Sequence, residues 1–144
     1  MYKPLVLAIF AVLISTIVGA APAFGWEARE FAVDFDRGSS VLTTRALNEI
    51  QIAAGYWKLA EAIDRPAGHY TMVIVGHADS GEKTSDVVEL SHQRAVVVAD
   101  ALVAAGIPHG EIAVDWKGAD RPASWLGGRT QSEANRQTTI DPEF

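Results

Sequence analysis

The period of apolar and polar positions changes several times along this chain, and each change marks an element. From Leu5 to Ala20 the chain is apolar except for Ser15 and Thr16. Phe31-Ala32-Val33-Asp34-Phe35 then alternates, as a strand buried on one face does. Asp36 to Ser40 is a cluster of turn residues. Leu42 to Ile63 carries Leu42, Ala46, Ile50, Ala53, Trp57 and Ala60 at helical spacing, with Gly55 expected to kink or divide the helix. Asp64 to Gly68 holds Pro and Gly and predicts a turn. Tyr70 to Val75 is rich in β-branched residues and reads as a buried central strand.

After a polar loop from Gly76 to Ser85, Asp86-Val87-Val88-Glu89 has the form of a capping box and predicts a helix start. That helix is expected to run to Ala105, where Gly106-Ile107-Pro108 stops it. Ile112 to Trp116 alternates and predicts a third strand; Trp116, like Trp57, fits a core position. Gly118 to Gly128 is a long loop, and Arg136 to Ile140 predicts a short last strand. The order implies an α+β fold: a βαβαβ(β) two-layer sandwich with helices on one face of a mixed sheet.

The first apolar stretch stands outside that pattern. Lys3 precedes it, and Ala21-Pro22-Ala23 ends it with a small-x-small cleavage signal before Phe24; Ala23-Phe24-Gly25 offers a second cut before Trp26. Residues 1–23 therefore read as a secretory signal peptide, with one domain over residues 24–144. The rival reading is an uncleaved N-terminal anchor, because the stretch approaches the roughly 20 residues that span a bilayer.

Composition removes several function classes. A net charge of −6, with no Lys/Arg run, argues against nucleic acid as a partner. The absence of cysteine excludes disulfides, thiolate zinc sites and a lipidated N-terminal cysteine.

One residue conflicts with a plain core. Leu90, Val97, Ala101 and Ala105 fall on one helical face, and Arg94 lies in its middle. A guanidinium cannot shed its charge, so among apolar neighbours it needs an anion. Asp79, after the preceding strand, is the nearest candidate. The plainer readings are an Arg94 that snorkels to solvent and an Asp79 that bonds its own turn.

Five short segments now fall into a known order: Phe35 to Thr43; Gly76-His77-Ala78-Asp79; Leu90-Ser91-His92-Gln93-Arg94-Ala95; Gly106-Ile107-Pro108; and Asn135-Arg136. Together they resemble the OmpA-like C-terminal domain over roughly Phe31 to Ile140. The resemblance implies a non-catalytic periplasmic domain that binds peptidoglycan, without cofactor or metal, and anchors the envelope to the cell wall. It implies that Asp79 and Arg94 grip the diaminopimelate of the stem peptide, with Ala78, Asn135 and Arg136 at the same site. Diaminopimelate ends in an ammonium and a carboxylate, so a fixed acid and a fixed guanidinium can read both. Such a domain is exported and is associated with the outer membrane or tethered to the inner one.

The chain departs from the family pattern at Ala78, where the family has Thr, at Val87 for Asn and at Gln137 for a second Arg. Gln131 and Ser132 stand where Gly-Arg is usual, and the segment from Ser40 to Gly76 is longer. These departures leave open an OmpA-like scaffold or protein-interaction domain that has lost peptidoglycan. Two further readings are weaker: a hydrolase using His77, Asp79 and Ser80 or Ser91, and a metal site of His77, Asp79 and His92. Neither a G-x-S-x-G elbow nor a helical His pair supports them.

Overall fold

The computed structural model describes residues 29–64, 70–82, 86–120 and 133–143. The leader assigned to residues 1–23, Trp26, and Trp125 in the long loop lie outside the described residues. The element order is β1 (Phe31–Asp34), α1 (Thr44–Asp64), β2 (Thr71–Gly76), α2 (Val87–Ala104), β3 (Ile112–Trp116) and β4 (Gln137–Glu143). Short 3-10 turns precede β3 and β4. Among the described residues no helix is long and apolar enough to cross a membrane.

The four strands form one mixed sheet in the order β1-β4-β2-β3. β4 runs antiparallel to both β1 and β2, and β2 runs parallel to β3. Parallel pairing needs a crossover, and α2 supplies it. Phe31 and Val33 of β1, Met72 and Ile74 of β2, and Ile140 of β4 turn one face of the sheet toward the helices. Ala46, Ile50, Ala53, Ala54, Trp57 and Ala60 of α1 meet them, as do Ala95, Val98, Ala99 and Leu102 of α2. Trp57 is buried without an orphaned indole, because its Nε1 donates to the Tyr70 carbonyl at 3.0 Å. The expected α+β sandwich with helices on one face is the observed architecture.

Four local expectations change. α1 runs unbroken through Gly55, which faces open space, so the glycine does not divide it. The buried stripe of α2 is Leu90, Ser91, Arg94, Ala95, Val98, Ala99 and Leu102. Val97, Ala101 and Ala105 sit at its margin, partly buried. Trp116 is not a core residue: β3 is an edge strand and leaves it 40% exposed. β4 continues to Glu143 through Pro142, in register with β2 alone beyond Ile140, where β1 has ended. A proline is tolerated where a strand has lost one neighbour.

Candidate functional site

The site lies at the end of β2, where three segments converge: the turn after β1, the loop from His77 to Glu82, and the first half of α2. Gly76 makes that convergence possible. A Cβ there would stand 2.0 Å from the Ser91 carbonyl oxygen, so β2 can approach α2 this closely only with glycine. The approach, rather than a sharp turn, is what the residue is for. Asp86 caps α2, its side chain accepting from the Glu89 amide at 2.9 Å, as the capping-box pattern predicts. One turn on, Ser91 donates its hydroxyl to the Val88 carbonyl at 2.7 Å and accepts from the Gly118 amide at 2.9 Å. Gly118 in turn accepts from the Ala78 amide at 2.9 Å.

Arg94 is wholly buried. Its anionic partner is Glu82 rather than Asp79. Nη1 donates to Glu82 Oε2 at 2.8 Å and Nη2 to Glu82 Oε1, a bidentate pair with neither side chain exposed to solvent. The remaining donors go to backbone carbonyls: Nε to Ser39 at 2.9 Å, Nη1 to His77 at 3.1 Å and Nη2 to Asp36 at 3.2 Å. All five N–H groups of the guanidinium are thereby used. The Phe35 ring lies beneath, its centroid 5.2 Å from the guanidinium carbon.

Glu82 is equally saturated. Besides Arg94, its Oε1 accepts from the Gly38 amide at 2.9 Å and its Oε2 from the Asp79 amide at 2.9 Å. Gly38 can present its N–H there because its φ is +68°, a conformation that glycine adopts without strain. Burial pushes the Glu82 carboxyl up, but the Arg94 and Gly38 hydrogen bonds, the Arg94 charge and the Asp79 amide together hold it below its ordinary value. Arg37 adds a strap across the same junction, donating to the Gly81 carbonyl.

The other expected site residues stand around this core. Asp79 closes its own turn: Oδ1 accepts from the Gly81 amide at 2.9 Å and its carbonyl from the Glu82 amide at 3.0 Å. Its second oxygen faces Arg136, with Nε 4.0 Å from Oδ2, and both side chains keep a little exposure, 11% and 13%. Asn135 is buried beside Arg136 in the chain, just before β4. Arg136 also lines an open recess of about 420 Å³ with Asp34, Phe35, Asp36 and Ala134. Ala78 is buried, and its amide is committed to Gly118. The structure thus brings Asp79 and Arg136 together and places Arg94 behind Glu82.

Glu82, the buried partner of Arg94, is the residue of this site that the sequence pattern does not single out. The signal was present: a buried arginine needs a carboxylate, and the loop before α2 offers Asp79 and the longer Glu82. His92 turns to Trp116, with ring centroids 4.2 Å apart. Among the described residues no three His, Asp or Glu side chains gather as metal ligands.

Solved structures share this arrangement of elements. The OmpA-like domain of FopA1 from Francisella tularensis matches with a TM-score of 0.64 at 17% identity, covering 78% of this chain and 70% of that one. The peptidoglycan-associated lipoprotein from Burkholderia pseudomallei gives 0.63 at 19% identity, covering 78% and 90%. The periplasmic domain of Helicobacter pylori MotB gives 0.57 at 15% identity, covering 81% and 76%. At such identities the likeness establishes the fold alone. No protein of curated function matches the sequence. The profile of the OmpA family matches residues 34–136, from the last residue of β1 to the arginine before β4. By that match this chain belongs to the OmpA family.

Proposed function

We propose that this domain binds peptidoglycan in the periplasm, without catalysis, and so holds the envelope to the cell wall. The ligand is the diaminopimelate of the stem peptide, read by Asp79 and Arg136. The observation that carries the reading is the ion pair of these two side chains, 4.0 Å apart and nearly buried, beside an open recess that Arg136 lines. A ligand end bearing an ammonium and a carboxylate replaces such a pair charge for charge: the ammonium goes to Asp79 and the carboxylate to Arg136. Arg94 acts from behind, fixing the loops that carry Asp79. Asn135 and Ala78 position the strand ends on either side. A solved relative named for its association with peptidoglycan supports the partner class. Export by a cleaved leader over residues 1–23 belongs to the same reading.

A second reading has an observation of its own. The five donors of Arg94 are consumed inside the protein, which favours an OmpA-like scaffold that has lost the ligand. Co-sedimentation with isolated diaminopimelate-type sacculi separates the two. The parent is expected to sediment, and Asp79→Ala and Arg136→Ala are each expected to weaken it. A parent that stays in the supernatant would favour the scaffold; variants that sediment as well as a sedimenting parent would mean that peptidoglycan is held elsewhere than at Asp79 and Arg136.

A further inference from the structure

A carboxylate in this molecule sits in a receptor made for one. Each oxygen of Glu82 accepts one bond from the Arg94 fork and one from a backbone amide, Gly38 for Oε1 and Asp79 for Oε2. The donors come from three separate segments: the turn after β1, the loop after β2, and α2. A guanidinium fork with two converging amides is the donor set that binds a free carboxylate in protein sites generally. We propose that Arg94, Gly38 and Asp79 form a carboxylate-binding cradle, and that Glu82 occupies it in cis, in place of a carboxylate from outside.

The consequence is a change in what the domain can select. Glu82 is three residues from Asp79, on the same loop, and it hydrogen-bonds that residue's amide. A tethered carboxylate competes at high effective concentration, so an external one gains little by entering. With the cradle filled, selection of a zwitterionic ligand falls to Asp79 and Arg136, and the Arg94 fork adds nothing to it. Glu82 is therefore a specificity-determining residue: it sets how strongly the ligand's carboxylate counts. That the outside ligand is a stem peptide rests on the peptidoglycan reading; the cradle itself does not.

The test empties the cradle. Glu82→Ala is made in the full chain, and melting is followed in sodium acetate and in free diaminopimelate, each against sodium chloride of equal ionic strength. Acetate is expected to raise the melting temperature of Glu82→Ala and to leave the parent where chloride leaves it; diaminopimelate, which the parent also takes at Asp79 and Arg136, is expected to raise Glu82→Ala by more than it raises the parent. Adding Arg94→Met to Glu82→Ala should remove the gain. If Glu82→Ala does not fold in chloride, it is refolded from urea in acetate or diaminopimelate, and recovery of the folded signal is the expected result. A folded variant indifferent to both carboxylates, or an unfolded one that neither rescues, overturns the proposal. Sacculus binding is scored apart. A parent that fails to sediment removes peptidoglycan as the source of the carboxylate, and the acetate response still decides the cradle.

Discussion

The two helices cover the same face of one sheet but are held there by different means. α1 buries Ala46, Ile50, Ala53, Ala54, Trp57 and Ala60, and of these only the Trp57 side chain can hydrogen-bond, which it does to the Tyr70 carbonyl. Its outer side leaves Ile52, Leu59 and Ile63 exposed and has Gly55 facing open space. α2 buries a serine and an arginine, and its first half is tied to three other segments by named bonds. Burial of apolar surface is non-directional, so α1 tolerates adjustment. Satisfied polar groups in the interior are directional, and losing one partner exposes the other to the full desolvation cost. The half of the molecule that carries the site is the half that can least be altered.

The largest effect should come from breaking the pair under α2. Removing one member of a buried ion pair costs about 3–5 kcal/mol. Glu82→Ala is therefore expected to lower stability by that order, and Ile50→Val, under α1, by about 0.5–1.5 kcal/mol. Replacing both partners, as Glu82→Leu with Arg94→Met, should cost less than Glu82→Ala alone, because no unpaired charge stays inside. Urea midpoints measure all three. A Glu82→Ala protein as stable as Ile50→Val would mean that the pair is not desolvated.

Acid should sharpen the same contrast. The Glu82 carboxyl is held below its ordinary value of 4.5 in the fold, so its contribution to stability is complete above that value. It is then lost as pH falls through the lower, folded pKa. Asp141, on β4, has the opposite sign: burial, then the charges of Glu30 and Glu143, push its carboxyl above 3.8. Ionising Asp141 therefore opposes folding, and acid relieves that strain. Stability of the parent between neutral and acidic pH should fall more steeply than that of Glu82→Gln, and Asp141→Asn should be more stable than the parent at neutral pH. Parallel pH profiles for parent and Glu82→Gln would contradict the first expectation.

The same division explains what could be read in the sequence. Elements were legible wherever burial alone decides the period: β1, β2 and α1 lie where their apolar patterns place them, and Asp86 caps α2 as its motif requires. Trp116 misled because an edge strand alternates like an inner one, and pattern does not say which strand is last in the sheet. Pro142 hid the end of β4 for a related reason, since a proline counts against a strand until its neighbour is known to have stopped. Arg94 was legible as an anomaly, but its partner was not. Choosing Glu82 over Asp79 depends on Asp79 spending one oxygen on its own turn and on Gly38 arriving from another loop. Those are facts of three-dimensional reach. The Asp79–Arg136 pair joins the second and the last segments of the family pattern, which proximity in the chain does not suggest.

The smallest effect belongs to the tolerant helix, and it has the opposite direction. Gly55 lies inside α1, solvent-exposed, and a Cβ built there meets nothing within 4 Å. Glycine in a helix interior is less favourable than alanine by roughly 0.5–1 kcal/mol, through the entropy it loses on folding. Gly55→Ala is therefore expected to stabilise the domain by up to about 1 kcal/mol, read as a higher urea midpoint at unchanged slope. The same substitution at Gly76 would drive a methyl into the Ser91 carbonyl and should destabilise. Two glycine-to-alanine changes, one on each helix's side of the core, should thus move stability in opposite directions. If Gly55→Ala also destabilises, α1 is not the unconstrained helix that its open face indicates.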